Sequence, residues 1–193
     1  MIFQETPIPG AFIVDLEKHE DERGYFGRVW CSREFKGHDL NPNLAQANVS
    51  FNRKRGTMRG LHHQLPPHAE TKLFKCTGGS IYDVIVDLRE DSPKYCTWYG
   101  VELSAEKERC LYVPEGCAHG YVALTDGAKI LYYTSEDYSP ELERGIRYDD
   151  PLFDIKWPVR ISVVSEKDRS WPDYVPKEHL GDFIEAEQTG DSR

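Results

Sequence analysis

From residue 2 to about residue 165 the chain is a succession of short runs rich in Val, Ile and Tyr, each ended by turn residues. Ala11–Val14, Ile81–Leu88, Cys110–Val113, Tyr121–Leu124 and Lys129–Thr134 are such runs. They are bounded by Gly78-Gly79, Asp91-Ser92-Pro93, Pro114-Glu115-Gly116 and Asp126-Gly127. β-branched and aromatic side chains suit a pleated, half-buried surface, and Gly, Pro and Asp interrupt it. No part of this region keeps a helical period. Short strands at this density predict an all-β fold: an antiparallel sandwich, barrel or jelly roll. Residues 177–188 differ, with Leu180, Phe183 and Ile184 at helical spacing interrupted by Gly181. One domain over 1–176 is expected, followed by a polar tail, 177–193, as a short helix or as disorder.

Composition narrows the function. A chain of 193 residues with 39% hydrophobic and 12% aromatic residues can build one ordinary core. Its net charge of −9 repels a long polyanion, so nucleic acid is excluded as a partner. A small phosphorylated ligand needs only a local cluster of cations, and Arg53, Lys54, Arg55 and Arg59 supply one. The five cysteines are odd in number and never form C-x-x-C, which speaks against a disulfide framework or a thiolate zinc site. No apolar run is long enough for a membrane span, and Met1–Glu5 lacks the basic start of a secretory signal. A cytoplasmic protein is expected.

Two segments carry the chemistry. One is Met58-Arg59-Gly60-Leu61-His62-His63-Gln64, followed by Pro66-Pro67 and Lys72; the other runs from Val113 to Gly120 and contains His119. Each sets a histidine beside Gly or Pro, predicting turns at which backbone approaches a ligand. The spacing Gly56-x5-His62 and Pro114-x-Gly116-x-x-His119 resembles the two motifs of the cupin superfamily, whose members are jelly rolls. Metal-binding cupins carry H-x-H and a later Glu. Here Gln64 stands at the second histidine, leaving His62, His68 and His119, or Glu70, as a conceivable ligand set. Gln is a poor ligand for a transition metal, and no metal or other cofactor is expected.

The stretch Arg59-Gly60-Leu61-His62-x-Gln64 resembles the signature of the dTDP-4-dehydrorhamnose 3,5-epimerase family. Further matches follow in the family's order: Asp21-x-Arg23-Gly24-x-Phe26, Gln46-x-Asn48-x-Ser50, Lys72-Leu73 and Asp83-Val84-x-Val86-Asp87-Leu88-Arg89. Beyond them come Pro114-x-Gly116-x-Ala118-His119-Gly120, Tyr132-x-Thr134, Glu143-x-Gly145-Ile146, Asp150-Pro151, Ile155-x-Trp157-Pro158 and Ser165-x-Lys167-Asp168. Together they cover nearly the whole chain. The resemblance implies a cupin-type antiparallel jelly-roll barrel with short peripheral helices, and a homodimer that exchanges strands. It implies epimerisation at C3, C5 or both of a nucleoside-diphosphate 4-keto-6-deoxy sugar. Such chemistry needs a base, a cation at the developing oxyanion, and an acid across the ring. By resemblance His62 is the base, Asp168 its orienting carboxylate, Lys72 the cation and Tyr132 the acid. Arg23 and Arg59 resemble pyrophosphate-binding arginines. Phe26, Arg28, Gln46, Asn48, His119, Glu143 and Lys167 fall at substrate-contact positions, and Tyr138 matches an aromatic that stacks on the base.

The chain departs from the family pattern at Arg28, where a glutamate contacts the nucleotide. A guanidinium only donates and a carboxylate only accepts, so a CDP- or GDP-linked substrate competes with a dTDP-linked one. Asn52 replaces a usual Ser, His63 a common Phe, and Cys117 and Tyr121 replace phenylalanines. A metal-dependent cupin isomerase or oxygenase, and a non-catalytic nucleotide-sugar-binding jelly roll, are the alternatives.

Overall fold

The computed structural model describes residues 1–176, so the tail expected over 177–193 lies outside the described residues. The first strands are β1 (Ile2–Glu5), β2 (Phe12–Asp15), β3 (His19–Asp21) and β4 (Gly24–Phe26), followed by helix α1 (Ser32–Gly37). Then come β5 (Gln46–Asn52), β6 (Met58–Gln64), β7 (Lys72–Gly78), β8 (Ser80–Asp87) and β9 (Trp98–Ser104). β10 (Cys110–Val113), β11 (Cys117–Ala123), β12 (Ala128–Thr134), β13 (Glu143–Gly145) and helix α2 (Glu166–Arg169) complete the described elements. One sheet has the order β1-β2-β10-β7-β12-β5, the other β13-β6-β11-β8-β9, and β3 and β4 form a separate ribbon. All strand pairs are antiparallel. From β5 onward the chain changes sheet at every connection except β8–β9, the double-sheet winding of a jelly roll. The expected fold class is therefore the observed one.

Alternation along the strands sorts side chains into three apolar layers. Between the sheets, Cys117, Tyr121 and Ala123 of β11 meet Phe74, Ile81, Ile85, Leu111 and Ile130. The intervening Ala118 and Val122 point outward and join Met58, Leu61, Val84, Ile146, Phe153 and Ile155. The segment from Ile146 to Tyr174 thus covers the outer face of the five-stranded sheet, and all seven residues of β11 are buried. On the six-stranded sheet, Phe35 of α1 and Leu40 cover Val14, Leu73 and Tyr112. Phe35 is the one buried residue of α1, and truncating such a side chain costs about 3–5 kcal/mol. Among the described residues no helix is long and apolar enough to cross a membrane.

The predicted runs fall on β2, β8, β10, β11 and β12. The histidine segments differ from expectation: both are strands, β6 and β11, rather than turns. Their glycines serve close approach of backbone. A Cβ added to Gly60 would lie 2.6 Å from both Gly120 Cα and His119 O, and one added to Gly120 would lie 2.7 Å from Arg59 O. Gly60 also has φ +101, a conformation side-chain-bearing residues rarely adopt. The two strands cross nearly in contact there, which sets His62 opposite His119 in the ladder.

Gly60→Ala therefore carries both a steric and a conformational penalty, together at least about 2 kcal/mol. In a thermal melt this should lower Tm by about 5 °C or more. A melt matching the wild type would show that the strands separate freely.

Candidate active site

A cavity of about 850 Å³ opens between the sheets. Strand register explains its walls. Across β5, β12 and β7, Gln46 pairs with Thr134 and Thr134 with Lys72; in the next row, Asn48 pairs with Tyr132 and Tyr132 with Phe74. Paired positions share a face, so two rows of polar and aromatic side chains line one wall. His62 and Arg59 of β6 and His119 of β11 come from the facing sheet.

His62 Nε2 lies 2.6 Å from Asp168 Oδ1. Asp168 sits on α2, whose N-cap Ser165 accepts from the Asp168 N–H at 3.0 Å, and the carboxylate is only 4% exposed. Burial pushes the Asp168 carboxyl up, but the bond to His62, its charge and the Ser165 contact outweigh this and hold it below its ordinary value. An ionised Asp168 only accepts, so Nε2 carries the hydrogen and Nδ1 the lone pair. Glu143 Oε1 lies 3.6 Å from that Nδ1, near enough to stabilise an imidazolium. Glu143 also accepts from Tyr138 Oη at 2.7 Å and pairs with Lys167. Burial raises its carboxyl, and these partners together with His62 bring it below the usual range.

On the opposite wall, Lys72 Nζ donates to the His62 carbonyl at 3.0 Å and pairs with Glu70 at 3.1 Å. Tyr132 stacks on Phe74, with ring centroids 4.6 Å apart and planes within 8°. Burial first, and the Glu70 charge second, raise the Tyr132 phenol, against a smaller opposing effect of Arg59. The group therefore keeps its proton at neutral pH. Phe74 also contacts the His119 ring at 4.0 Å, and His119 Nε2 meets the buried Asp83 carboxylate at 2.5 Å. Neither Glu70 nor Phe74 belongs to a polar motif with an assigned role. For Phe74 the signal was the spacing Lys72-x-Phe74, which puts both on one face of β7; Glu70 lies in the connection just before that strand.

Gln64, at the position of a cupin metal ligand, uses both ends of its amide to fasten loops. It donates to His68 O at 2.9 Å and Asp137 O at 3.2 Å, and accepts from Ser139 N at 2.6 Å. His68 faces Glu136. Among the described residues no three His, Cys, Asp or Glu side chains converge to hold a metal ion.

Three residues placed by resemblance do not line this cavity. Arg23 is 84% exposed and pairs with Asp21, and Phe26 is 66% exposed at the end of β4. Arg28 is bound 2.9 Å from Glu34, which also takes the N-terminal ammonium at 2.7 Å. Gln46, Asn48, Arg59, His62, Lys72, His119, Tyr132, Tyr138, Glu143, Lys167 and Asp168 all line it.

The family described as dTDP-4-dehydrorhamnose 3,5-epimerase matches residues 5–175. The dTDP-4-dehydrorhamnose 3,5-epimerase of Sinorhizobium fredii is 42% identical over 173 residues, 89% of each chain. The crystal structure of the corresponding enzyme from Elizabethkingia anophelis superposes with a TM-score of 0.87 at 37% identity, over 90% of this chain and 96% of that one. That from Bacillus anthracis, solved with TDP and PPi bound, gives a TM-score of 0.84 at 38% identity, over 89% and 98%.

His63 also lines the cavity, and its buried Nδ1 has no hydrogen-bond partner. Burial, then the charges of Lys72, Arg144 and His62, push its pKa down to about 4. The unfolded chain takes up this proton near pH 6.5, so between there and about pH 4 the unfolded state binds more protons. Stability is fully kept above that window and falls as pH drops through it. His63→Phe removes the effect. In urea unfolding at pH 7 and pH 4.5, the wild type should lose about 2 kcal/mol more than this variant. Equal losses would mean that His63 titrates as an exposed histidine.

Proposed function

The chain belongs to the dTDP-4-dehydrorhamnose 3,5-epimerase family, and from that premise we propose that His62, Asp168, Lys72 and Tyr132 carry its proton transfers on a nucleoside-diphosphate 4-keto-6-deoxy hexose. The observation that supports this most directly is the 2.6 Å contact of His62 with Asp168, in a cavity whose other wall bears Lys72 and Tyr132. The C4 ketone acidifies the hydrogens on C3 and C5. His62 Nδ1 removes one, and the electron pair moves to the C4 oxygen, where the Lys72 ammonium meets the developing charge. Asp168 and Glu143 stabilise the imidazolium that results. The Tyr132 phenol, on the facing sheet, returns a proton to the opposite face of the same carbon and inverts it. His62 then releases its proton to solvent and Tyr132 recovers one, so the inverted carbon acquires a solvent hydrogen.

Arg59, at the cavity wall, is read as a diphosphate ligand, which suits paired guanidinium–phosphate bonding. The Tyr138 ring, 54% exposed, offers a face for the base, a contact worth about 1–3 kcal/mol. Arg23, Phe26 and Arg28 fit the same substrate if a second copy of the chain supplies them. Two features support a homodimer. The β3–β4 ribbon pairs with no other described strand, and the edge strand β5 leaves Val49 67% and Phe51 51% exposed. The deeply buried thiols of Cys110 and Cys117, pushed up to about 11 and about 12 by burial, behave as core hydrophobes and suit the cytoplasm.

Deuterium incorporation in D₂O, followed by NMR with TDP-, CDP- and GDP-4-keto-6-deoxy sugars side by side, tests the chemistry and names the base. Label at C3, C5 or both is expected from one of them, with a drop of about 10²–10⁴-fold in His62→Ala. No exchange with any of the three would overturn the catalytic reading. Mixing His62→Ala subunits with Arg23→Ala subunits tests the dimer. If Arg23 serves the neighbouring site, each hybrid regains one intact site and about a quarter of the sites recover. No recovery on mixing would place Arg23 outside the partner's site.

A further inference from the structure

Two of the positions at which the chain departs from its family, Asn52 and Tyr121, touch each other. The Tyr121 side chain points into the space between the sheets and is 3% exposed, so its hydroxyl needs partners within the protein. Ser50 Oγ lies 2.8 Å from it and Asn52 Nδ2 donates to it at 3.3 Å. Asn52, 1% exposed, also donates from Nδ2 to Ala128 O at 3.2 Å, and its Oδ1 accepts from Arg59 Nε at 2.9 Å. Ala128 O can only accept and Arg59 Nε can only donate, so the orientation of the amide is fixed by its neighbours. Asn52 donates to the Tyr121 hydroxyl, which also shares a hydrogen bond with the Ser50 hydroxyl in which either oxygen can donate. A continuous hydrogen-bond network thus links Arg59 through Asn52 and Tyr121 to Ser50.

The consequence lies at Arg59. Its Nε is held by Asn52, and one Nη2 hydrogen goes to Phe51 O at 3.3 Å. The Nη1–Nη2 end keeps one free hydrogen on each nitrogen, side by side, the arrangement that takes two oxygens of one anion. We propose that Asn52, backed by Tyr121 and Ser50, is a positioning residue that presets the Arg59 guanidinium for the diphosphate of the substrate. This rests on reading Arg59 as a diphosphate ligand. A long side chain fixed beforehand loses less freedom on binding, so the device acts on affinity.

Inorganic pyrophosphate, titrated calorimetrically, is the probe, because its binding does not depend on the base. Arg59→Ala should lose most of the affinity, and Asn52→Ala should weaken Kd about tenfold. In the Arg59→Ala background, Asn52→Ala should add no more than about a twofold change, since its effect passes through Arg59. In turnover, the Asn52→Ala loss should fall mainly in KM rather than kcat. Asn52→Ser, too short to reach Arg59, should behave alike and carries the test if the alanine variant does not fold. A wild-type Kd in both Asn52 variants, with Arg59→Ala weakened, would overturn the proposal and leave the Arg59 reading standing. Equal losses on both backgrounds would mean general loosening and would also overturn it. A wild-type Kd in Arg59→Ala would remove the Arg59 reading and the proposal with it.

Discussion

A carboxylate on the last described helix must lie within hydrogen-bonding distance of a histidine 106 residues earlier in the chain, and the fold is organised so that it does. The outer face of the five-stranded sheet provides the track. Met58 N donates to Val163 O at 2.8 Å, and Leu61 and Ile146 exchange backbone bonds at 3.1 and 3.0 Å, tying the C-terminal segment along the part of β6 that leads up to His62. The apolar layer beneath, with Met58, Leu61, Val84 and Phe153, gives that segment a reason to stay. Ser165 then starts a helix of four residues, short enough that its third residue, Asp168, points back at the imidazole. A loop of ordinary flexibility could not hold two polar groups at such a separation without losing much of the gain to entropy.

The jelly roll also divides the work. His62 and Asp168 belong to the five-stranded sheet and the segment covering it, whereas Lys72 and Tyr132 belong to the six-stranded sheet. Two facing walls present polar groups to both sides of the cavity, which a single sheet face cannot offer. Phe74 links the walls, with one side against Tyr132 and the other against His119. The Lys72 ammonium is already engaged by Glu70 and the His62 carbonyl, so little reorganisation remains when charge develops on a substrate oxygen.

Much of this could be read from residue order. Val-, Ile- and Tyr-rich runs between turn residues marked the strands because strand propensity and turn chemistry agree along the chain. The collinear motifs named His62, Lys72, Tyr132 and Asp168, all of which reach one cavity. What could not be read depended on tertiary geometry. Glycine beside His62 and His119 suggested turns, yet it serves the crossing of β6 and β11, a contact between residues 60 positions apart. Gln64 looked like a lost metal ligand, but its amide joins two loops. Glu70 was legible only as a conceivable metal ligand, and its 3.1 Å contact with Lys72 is a tertiary fact. Arg23, Phe26 and Arg28 matched as well as any other residues, and their absence from the cavity is a matter of where the β3–β4 ribbon goes.

The route by which Asp168 reaches His62 has a bearing on when activity begins. Synthesis proceeds from the N-terminus. The emerging chain has His62, Lys72 and Tyr132 before the stretch that covers the five-stranded sheet exists. Glu143 arrives with the short edge strand β13, but until residues 146–170 have settled over β6 the imidazole lacks the Asp168 carboxylate. A partly made molecule of this kind holds a cleft in which the His62 imidazole still lacks its carboxylate partner, so the site is completed only when the last described helix is in place.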